Sequence, residues 1–477
     1  MCYQILSQKI FFIFFIFWYT DTSNVKFGFL LVLCLFFSNT VFATQDAITP
    51  EQTTETDELP LTAEAAILMD ATSGQILYEK NSDTKQYPAS ITKLMTILLA
   101  LEKMETENIH LTDTITFSHD AIYTIEPGSS HIAIQEGETL TLEQVLYGII
   151  LQSANECSNG IAEFVDGSTE AFAKHMTARA KELGCQNTNF VNANGLFDKD
   201  HYTTAHDMAL ITKQLLTHDT YRKLVEKTYY EIPPTNKQDE IRYLHGQHQM
   251  LNKHSLYYYP EAKGGKTGFT NEALNTLVTF AKKGDTELIV VVLKCAGAQH
   301  YVDTKTLFDY GFDNYKTVKA ISATDISQDV TVTETLQNKT NTKQTISAIL
   351  EQDVYVTIPK QGSVADIQQT ITCNDTVSVP ITKDDILGTL TLSYDGKPIA
   401  RANLVASDAV AETTKEELAQ ISAKKRSDIF KTIALVVIGI LLLLFMAFLA
   451  YRYLLYQKQE RQRAKRKAAR KRRLQQG

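Results

Sequence analysis

The chain has 477 residues, 44% of them hydrophobic and 21% charged, with a formal net charge of −8. That length holds two or three domains with ordinary packed cores, and the acidic balance argues against nucleic acid as a partner. Six cysteines, Cys2, Cys34, Cys157, Cys185, Cys295 and Cys373, show no metal-ligand spacing, so neither a disulfide-dense scaffold nor structural zinc is expected.

Two apolar runs open the chain, "IFFIFFIFWY" at 10–19 and "FGFLLVLCLFF" at 27–37. Lys26 before the second run and the small Ala43 after it give residues 1–43 the anatomy of a signal peptide cleaved after Ala43. The first run fits a true start nearer Val25. A membrane anchor made of both runs is the competing reading, although Asp21 interrupts them and neither reaches spanning length. A polar leader, 44–60, follows.

In "AAILMDATSGQILYEKN" apolar stretches flank "DATSG", the pattern of a β-hairpin. Next comes "YPASITKLMT", where Pro88 favours entry into a helix starting near Ser90. Ser90 and Lys93 share one helical face, so a serine hydroxyl can lie beside a lysine amine. The same residues fit an ordinary N-cap serine. Ser82–Lys85 and Ser422–Lys425 repeat the spacing in polar segments expected to be exposed, so spacing alone does not choose.

A largely helical block follows to about Gly195. Thr141 and Gln144 stand at capping-box spacing before "VLYGIIL", and the polar "SANECSN" interrupts that apolar pattern. "NTLVTFAKK" and "TELIVVVLKCA" form a second hairpin about Gly284–Asp285. Hairpin, helical block, hairpin predicts one α+β domain over 61–312. Short Val/Thr/Ile-rich runs predict a small all-β domain over 317–408. A linker, 409–428, contains Thr414 and Glu417 at capping-box spacing. Residues 432–451, "TIALVVIGILLLLFMAFLAY", form an uncharged apolar run of transmembrane length. The strongly basic tail, 452–477, assigns itself to the cytoplasm, leaving the rest of the protein outside. Nucleic-acid binding by this tail is less economical than a topology signal contacting anionic lipid.

Serine catalysis needs a nucleophile, a base and oxyanion donors converging from distant segments. Ser153 and Asn155 lie in the polar interruption, which is costly to bury unless it lines a cleft. Lys266, Thr267 and Gly268 lie in "GGKTGFT", where Gly264, Gly265 and Gly268 permit close backbone approach to a ligand. Singly, each motif also fits a common turn or surface bend.

As an ordered set, S-x-x-K, S-x-N and K-T-G, they resemble the penicillin-recognising serine enzymes. The nearer resemblance is to the low-molecular-mass penicillin-binding proteins, serine-type D-alanyl-D-alanine carboxypeptidases of bacterial walls. It is carried by "AAILMDATSGQILYEKN", "YPASITKLMT", "EPGSSHIAIQEGE", "GIILQSANECS", "FVNANGLFDKDHYTTAHDMA" and "GGKTGFTNEA" over roughly residues 60–300. The following β domain shows a weaker likeness. The resemblance implies Ser90 as nucleophile, Lys93 as a base that must be neutral, and Ser153 as a proton relay. Asn155 would orient Lys93 or the substrate amide. Lys266 and Thr267 would hold a carboxylate, and the N–H groups of Ser90 and Phe269, the latter following Gly268, would form the oxyanion hole.

The implied activity is removal of the terminal D-Ala from peptidoglycan stem pentapeptides, with β-lactams as acylating inhibitors and no cofactor. A D,D-endopeptidase cutting cross-links and a penicillin-binding wall sensor without turnover share the same residues. A β-lactamase fits less well, because no downstream E-x-x-x-N segment supplies a deacylating base. Two positions depart from the family pattern: Ala154 stands where glycine is usual in S-x-N, and Leu274 where glycine is frequent. The implied location is the cell membrane, through a single C-terminal span. The β domain between enzyme and anchor reads as a spacer or as a docking surface.

Overall fold

The computed structural model describes residues 59–336 and 339–474. The expected signal peptide and most of the polar leader lie outside the described residues. Strands β1 (Ala65–Asp70) and β2 (Ile76–Lys80) form the first hairpin. Its turn closes because Asp70 Oδ1 accepts from the backbone N–H groups of Thr72 and Ser73 and from the Ser73 hydroxyl, as Asp does in turns.

The helical block contains α1 (Lys93–Thr106), β3 (Thr114–Thr116), α2 (His119–Tyr123), β4 (Thr139–Thr141), α3 (Leu142–Gln152), α4 (Asn155–Asp166), α5 (Thr169–Glu182), α6 (Ala205–Leu215) and α7 (Asp219–Val225). The Thr141–Gln144 capping box is present, with Thr141 N–H donating to Gln144 Oε1 at 2.8 Å. A small hairpin, β5 (Tyr229–Ile232) and β6 (Arg242–His245), precedes β7 (Ala262–Thr270), β8 (Leu274–Lys283) and β9 (Thr286–Cys295).

The main sheet is antiparallel in the order β2-β1-β9-β8-β7. Its central strands read as continuous apolar runs because both faces are covered. In β1, Ala65, Ile67 and Met69 pack into the core under the helical block. Ala66 and Leu68 pack into a second core with Leu307, Phe308 and Phe312. Those three residues belong to α8 (Gln299–Asn314), an element that sequence analysis did not assign, because its apolar positions are spaced among polar ones. Strand β7 is left at the sheet edge, so part of its backbone donors and acceptors faces outward.

From Tyr315 to Ala406 the described chain is built of β-strands, in a six-stranded and a two-stranded sheet. Their core includes Val330, Val332, Val356, Leu390 and Leu404. Asp70 Oδ2 accepts from the Thr317 hydroxyl at 2.6 Å, and Thr286 Oγ1 accepts from Thr317 N–H at 2.9 Å. These bonds tie the first β-domain strand to the main sheet. Helix α9 (Lys415–Leu474) is continuous through linker, apolar run and basic tail. It begins at the Thr414–Glu417 capping box and is long and apolar enough to cross a membrane. Cys157, Cys185, Cys295 and Cys373 are free thiols.

Leu274 opens β8 with φ at 53°, a left-handed conformation that costs a side-chain-bearing residue about 1–2 kcal/mol. Glycine avoids that strain but loses more chain entropy on folding. Leu274→Gly is therefore expected to stabilise the protein by about 0.5–1 kcal/mol, read as a higher urea midpoint of the detergent-solubilised chain. An unchanged or lower midpoint would mean that contacts of the leucine side chain outweigh the strain.

Candidate active site

The segment before Ser90 is bent, with Ala89 at φ 51°. Ser90 then sits in one 3₁₀ turn, Ala89–Thr92, and the α-helix begins at Lys93. The helix expected to start near Ser90 thus opens with a tighter turn, which keeps Ser90 partly accessible while Lys93 is fully buried. Lys93 Nζ lies 2.9 Å from Ser90 Oγ. It also donates to Asn155 Oδ1 at 2.7 Å and to the Asn194 carbonyl at 2.5 Å.

Burial, and secondly the Lys266 cation, push the Lys93 amine well below the ordinary lysine range. A neutral amine has two N–H bonds and one lone pair. Asn155 and Asn194 offer two pure acceptors, which leaves the lone pair for the Ser90 hydroxyl.

Ser153 caps the C-terminus of α3 at φ 56°, and its buried Oγ has no hydrogen-bond partner. Asn155 opens α4 immediately afterwards. Its N–H donates to the Ser130 carbonyl at 2.8 Å, and Glu156 Oε1 accepts from Ile132 N–H at 2.6 Å. The "EPGSSHIAIQEGE" loop is thereby strapped across the start of α4. Ala154 is completely buried.

The third segment, Lys266, Thr267 and Gly268, precedes the "NTLVTF" strand β8 and itself forms a strand, β7, paired with it. Gly268 faces Ser90: a Cβ there would lie 2.9 Å from Ser90 N and 3.1 Å from the Pro88 carbonyl. Glycine thus lets the strand backbone close on the serine. Gly264 and Gly265, expected to admit a ligand, instead pack against Val225, Phe280 and the β8 backbone.

Lys266 is buried, donates to the Thr267 carbonyl at 2.8 Å, and is brought down by burial to about 7. Thr267 on this edge strand is half-buried and Phe269 is exposed. Lys93 touches both Ser90 and Asn155 and joins the three as a trio. Ser153 precedes Asn155 by two residues, the Lys266 charge acts on Lys93, and β7 closes on Ser90 through Gly268.

Three comparisons bear on this arrangement. The family model described as D-alanyl-D-alanine carboxypeptidase matches residues 51–297, and the penicillin-binding protein 5 C-terminal domain matches residues 315–412. The chain belongs to the D-alanyl-D-alanine carboxypeptidase family. It is 32% identical over 379 residues to the D-alanyl-D-alanine carboxypeptidase DacF of Bacillus subtilis, covering 79% of this chain and 92% of that protein. Over 378 residues it is 32% identical to DacC of Escherichia coli, covering 77% and 88%. The crystal structure of penicillin-binding protein 5 from Haemophilus influenzae superposes with a TM-score of 0.61 at 27% identity, covering 74% of this chain and 98% of that one. The α+β domain with its all-β companion is thus the penicillin-binding protein fold.

In this carboxypeptidase, several residues near the trio escaped sequence analysis. Asn194 contributes a backbone carbonyl, which any residue type supplies, so no side-chain pattern marks it. Gly195 beside it does carry a signal: at φ 82° a Cβ would collide with the Ala89 carbonyl and lie 2.9 Å from Thr92 Oγ1. His201 Nδ1 accepts from Val191 N–H at 3.1 Å, so its Nε2 donates to Thr92 Oγ1 at 2.9 Å. Thr276 donates to the Pro88 carbonyl at 2.8 Å, fixing β8 against the turn that holds Ser90. Of the two other S-x-x-K pairs, Ser422–Lys425 is exposed on α9 as expected. Ser82 is instead buried and donates to Glu79 Oε2 at 2.7 Å.

Proposed function

We propose that this serine-type D-alanyl-D-alanine carboxypeptidase uses Ser90 as nucleophile to remove the terminal D-Ala of peptidoglycan stem pentapeptides. The contact between Ser90 Oγ and a buried Lys93 amine, whose other neighbours are acceptors, carries this reading. Lys93 takes the Ser90 proton as Oγ attacks the carbonyl between the two D-Ala residues. The N–H groups of Ser90 and Phe269 receive the oxyanion. Collapse expels D-Ala, whose amine is protonated from Lys93 by way of Ser153, and water then releases the shortened stem from Ser90. Asn155 orients Lys93. Lys266 and Thr267 hold the terminal carboxylate, which a β-lactam carboxylate imitates. A penicillin therefore acylates Ser90 as well.

Helix α9 anchors the enzyme through residues 432–451, with the catalytic domain outside the cell and the basic tail inside, and the β domain acts as a spacer. Assay of purified enzyme on a stem pentapeptide and on a cross-linked dimer tests the reaction. Faster release of D-Ala from the pentapeptide is expected. Preferential cutting of the dimer would make the protein an endopeptidase, and penicillin labelling without D-Ala release would make it a sensor. In wall-stripped cells, added protease should remove the labelled ectodomain and spare the tail. Digestion of the tail at the same rate would reverse the topology.

A further inference from the structure

The β5–β6 hairpin presents an aromatic surface that the reaction does not use. Its register pairs Tyr229 with His245, Tyr230 with Leu244, Glu231 with Tyr243 and Ile232 with Arg242. Alternation therefore turns Tyr230, Ile232, Leu244 and Arg242 inward and Tyr229, Glu231, Tyr243 and His245 outward. The inward side is firmly held. Tyr230 stacks on Tyr147 with ring centroids 4.0 Å apart, and Ile232 and Leu244 are buried. Arg242 also makes a bidentate pair with the buried Glu138, at 2.7 and 2.9 Å.

On the outward side Tyr229 and Tyr243 are 41% and 57% exposed and lie nearly parallel, at 13°, with centroids 6.5 Å apart. The His245 ring is 4.9 Å from Tyr229. Two flat aromatic faces on a rigid hairpin, bordered by a carboxylate, an imidazole and phenol hydroxyls, suit a neutral partner with one apolar face and a hydroxyl-rich rim. A pyranose ring is such a partner.

The hairpin is tied to the segment that carries Ser153. Gln152 Nε2 donates to the His245 carbonyl at 2.8 Å, and Gln152 directly precedes Ser153. A five-residue stem peptide reaches at most about 18 Å when extended, so its parent glycan must run close to the catalytic serine. We infer that the outward face of β5–β6 is a saccharide platform on which Tyr229 and Tyr243 stack pyranose rings of the wall glycan while a stem peptide occupies the cleft. This rests on the wall-peptide reading of the active site.

The test uses full-length enzyme in detergent, a peptide-free tetramer of β-1,4-linked N-acetylglucosamine as probe, and the Tyr229→Ala/Tyr243→Ala double variant. The tetramer is expected to bind the wild-type protein, with affinity about tenfold or more lower in the double variant. D-Ala release from intact sacculi should fall by a similar factor, while release from a soluble pentapeptide and penicillin labelling stay unchanged. The Tyr229→Phe/Tyr243→Phe variant should keep glycan binding, since the ring faces remain. Absence of tetramer binding to wild type, or wild-type trimming of sacculi by the double alanine variant, overturns the platform. So does a loss of soluble-substrate activity together with a lower Tm, which would make the two rings hairpin supports. Concentration-dependent dimerisation abolished by the alanine variant, without glycan binding, overturns it in favour of a second copy. Failure of wild-type enzyme to release D-Ala from the soluble pentapeptide is a different outcome, since it counts against the reaction assigned to the cleft.

Discussion

Ser90→Ala is expected to abolish covalent labelling by a penicillin and to lower kcat for D-Ala release by roughly four to six orders of magnitude, as removal of a serine nucleophile does elsewhere. Among the described residues, the hydroxyl hydrogen-bonded to the Lys93 amine is that of Ser90. Ser153, the other serine of the site, has its Oγ buried and unpartnered at the end of α3, whereas Ser90 Oγ lies 2.9 Å from the Lys93 amine. The fold should survive. Lys93 keeps Asn155 Oδ1 and the Asn194 carbonyl as partners, and the substitution removes one oxygen from a partly accessible side chain. Reversible binding of penicillin should persist, because Lys266 and the β7 edge are untouched. The measurement pairs gel detection of a fluorescent penicillin with a melting curve. Labelling that survives in a folded variant would remove Ser90 from the reaction.

What could be read beforehand was mostly what side-chain type and spacing encode. Ser90 and Lys93 stand three apart, and Ser153 and Asn155 break an apolar helix. The "DATSG" turn sits between two apolar runs. Each of these leaves a mark in the order of residues. The backbone-mediated parts leave almost none. The Asn194 carbonyl reaches Lys93 from 101 positions away, and the Ser130 carbonyl holds Asn155 N–H from a loop with no helical or strand pattern. Sequence analysis assigns no strand to the K-T-G segment, and its glycines read as room for a ligand. In the fold those glycines are what allow β7 to lie against Val225, Phe280 and Ser90. Leu274 is the converse case. A glycine is frequent there in the family, and φ of 53° supplies the physical reason. The outward pair on β5–β6 was invisible because "YYEI" and "RYLH" are too short for alternation to declare a face.

Lys93→Ala should slow acylation by about 10²–10⁴-fold while leaving initial binding of penicillin nearly unchanged, because loss of a general base acts on the transition state. The pH dependence separates this role from a merely structural one. As the proposed base, Lys93 must be a neutral amine, so activity is expected to fall on the acid side as pH drops through its lowered pKa. As the proposed carboxylate holder, Lys266 must be a cation, so capture of the free carboxylate is expected to fall on the alkaline side as pH rises through about 7. The profile of kcat/KM is then a bell whose limbs belong to the free enzyme.

The two limbs are linked, because the Lys266 charge is one of the causes that depress Lys93, after burial itself. Lys266→Gln removes that cation. The acid limb should therefore move to higher pH, since a less repelled Lys93 holds its proton more firmly. At the same time KM for carboxylate-bearing ligands should rise. The second-order rate constant of stopped-flow acylation across the pH range reads the first effect, and the concentration needed for saturation reads the second. An acid limb that stays in place would mean that Lys93 is not the group titrating there. A limb that shifts without any change in KM would leave Lys266 tuning the base from outside the carboxylate site.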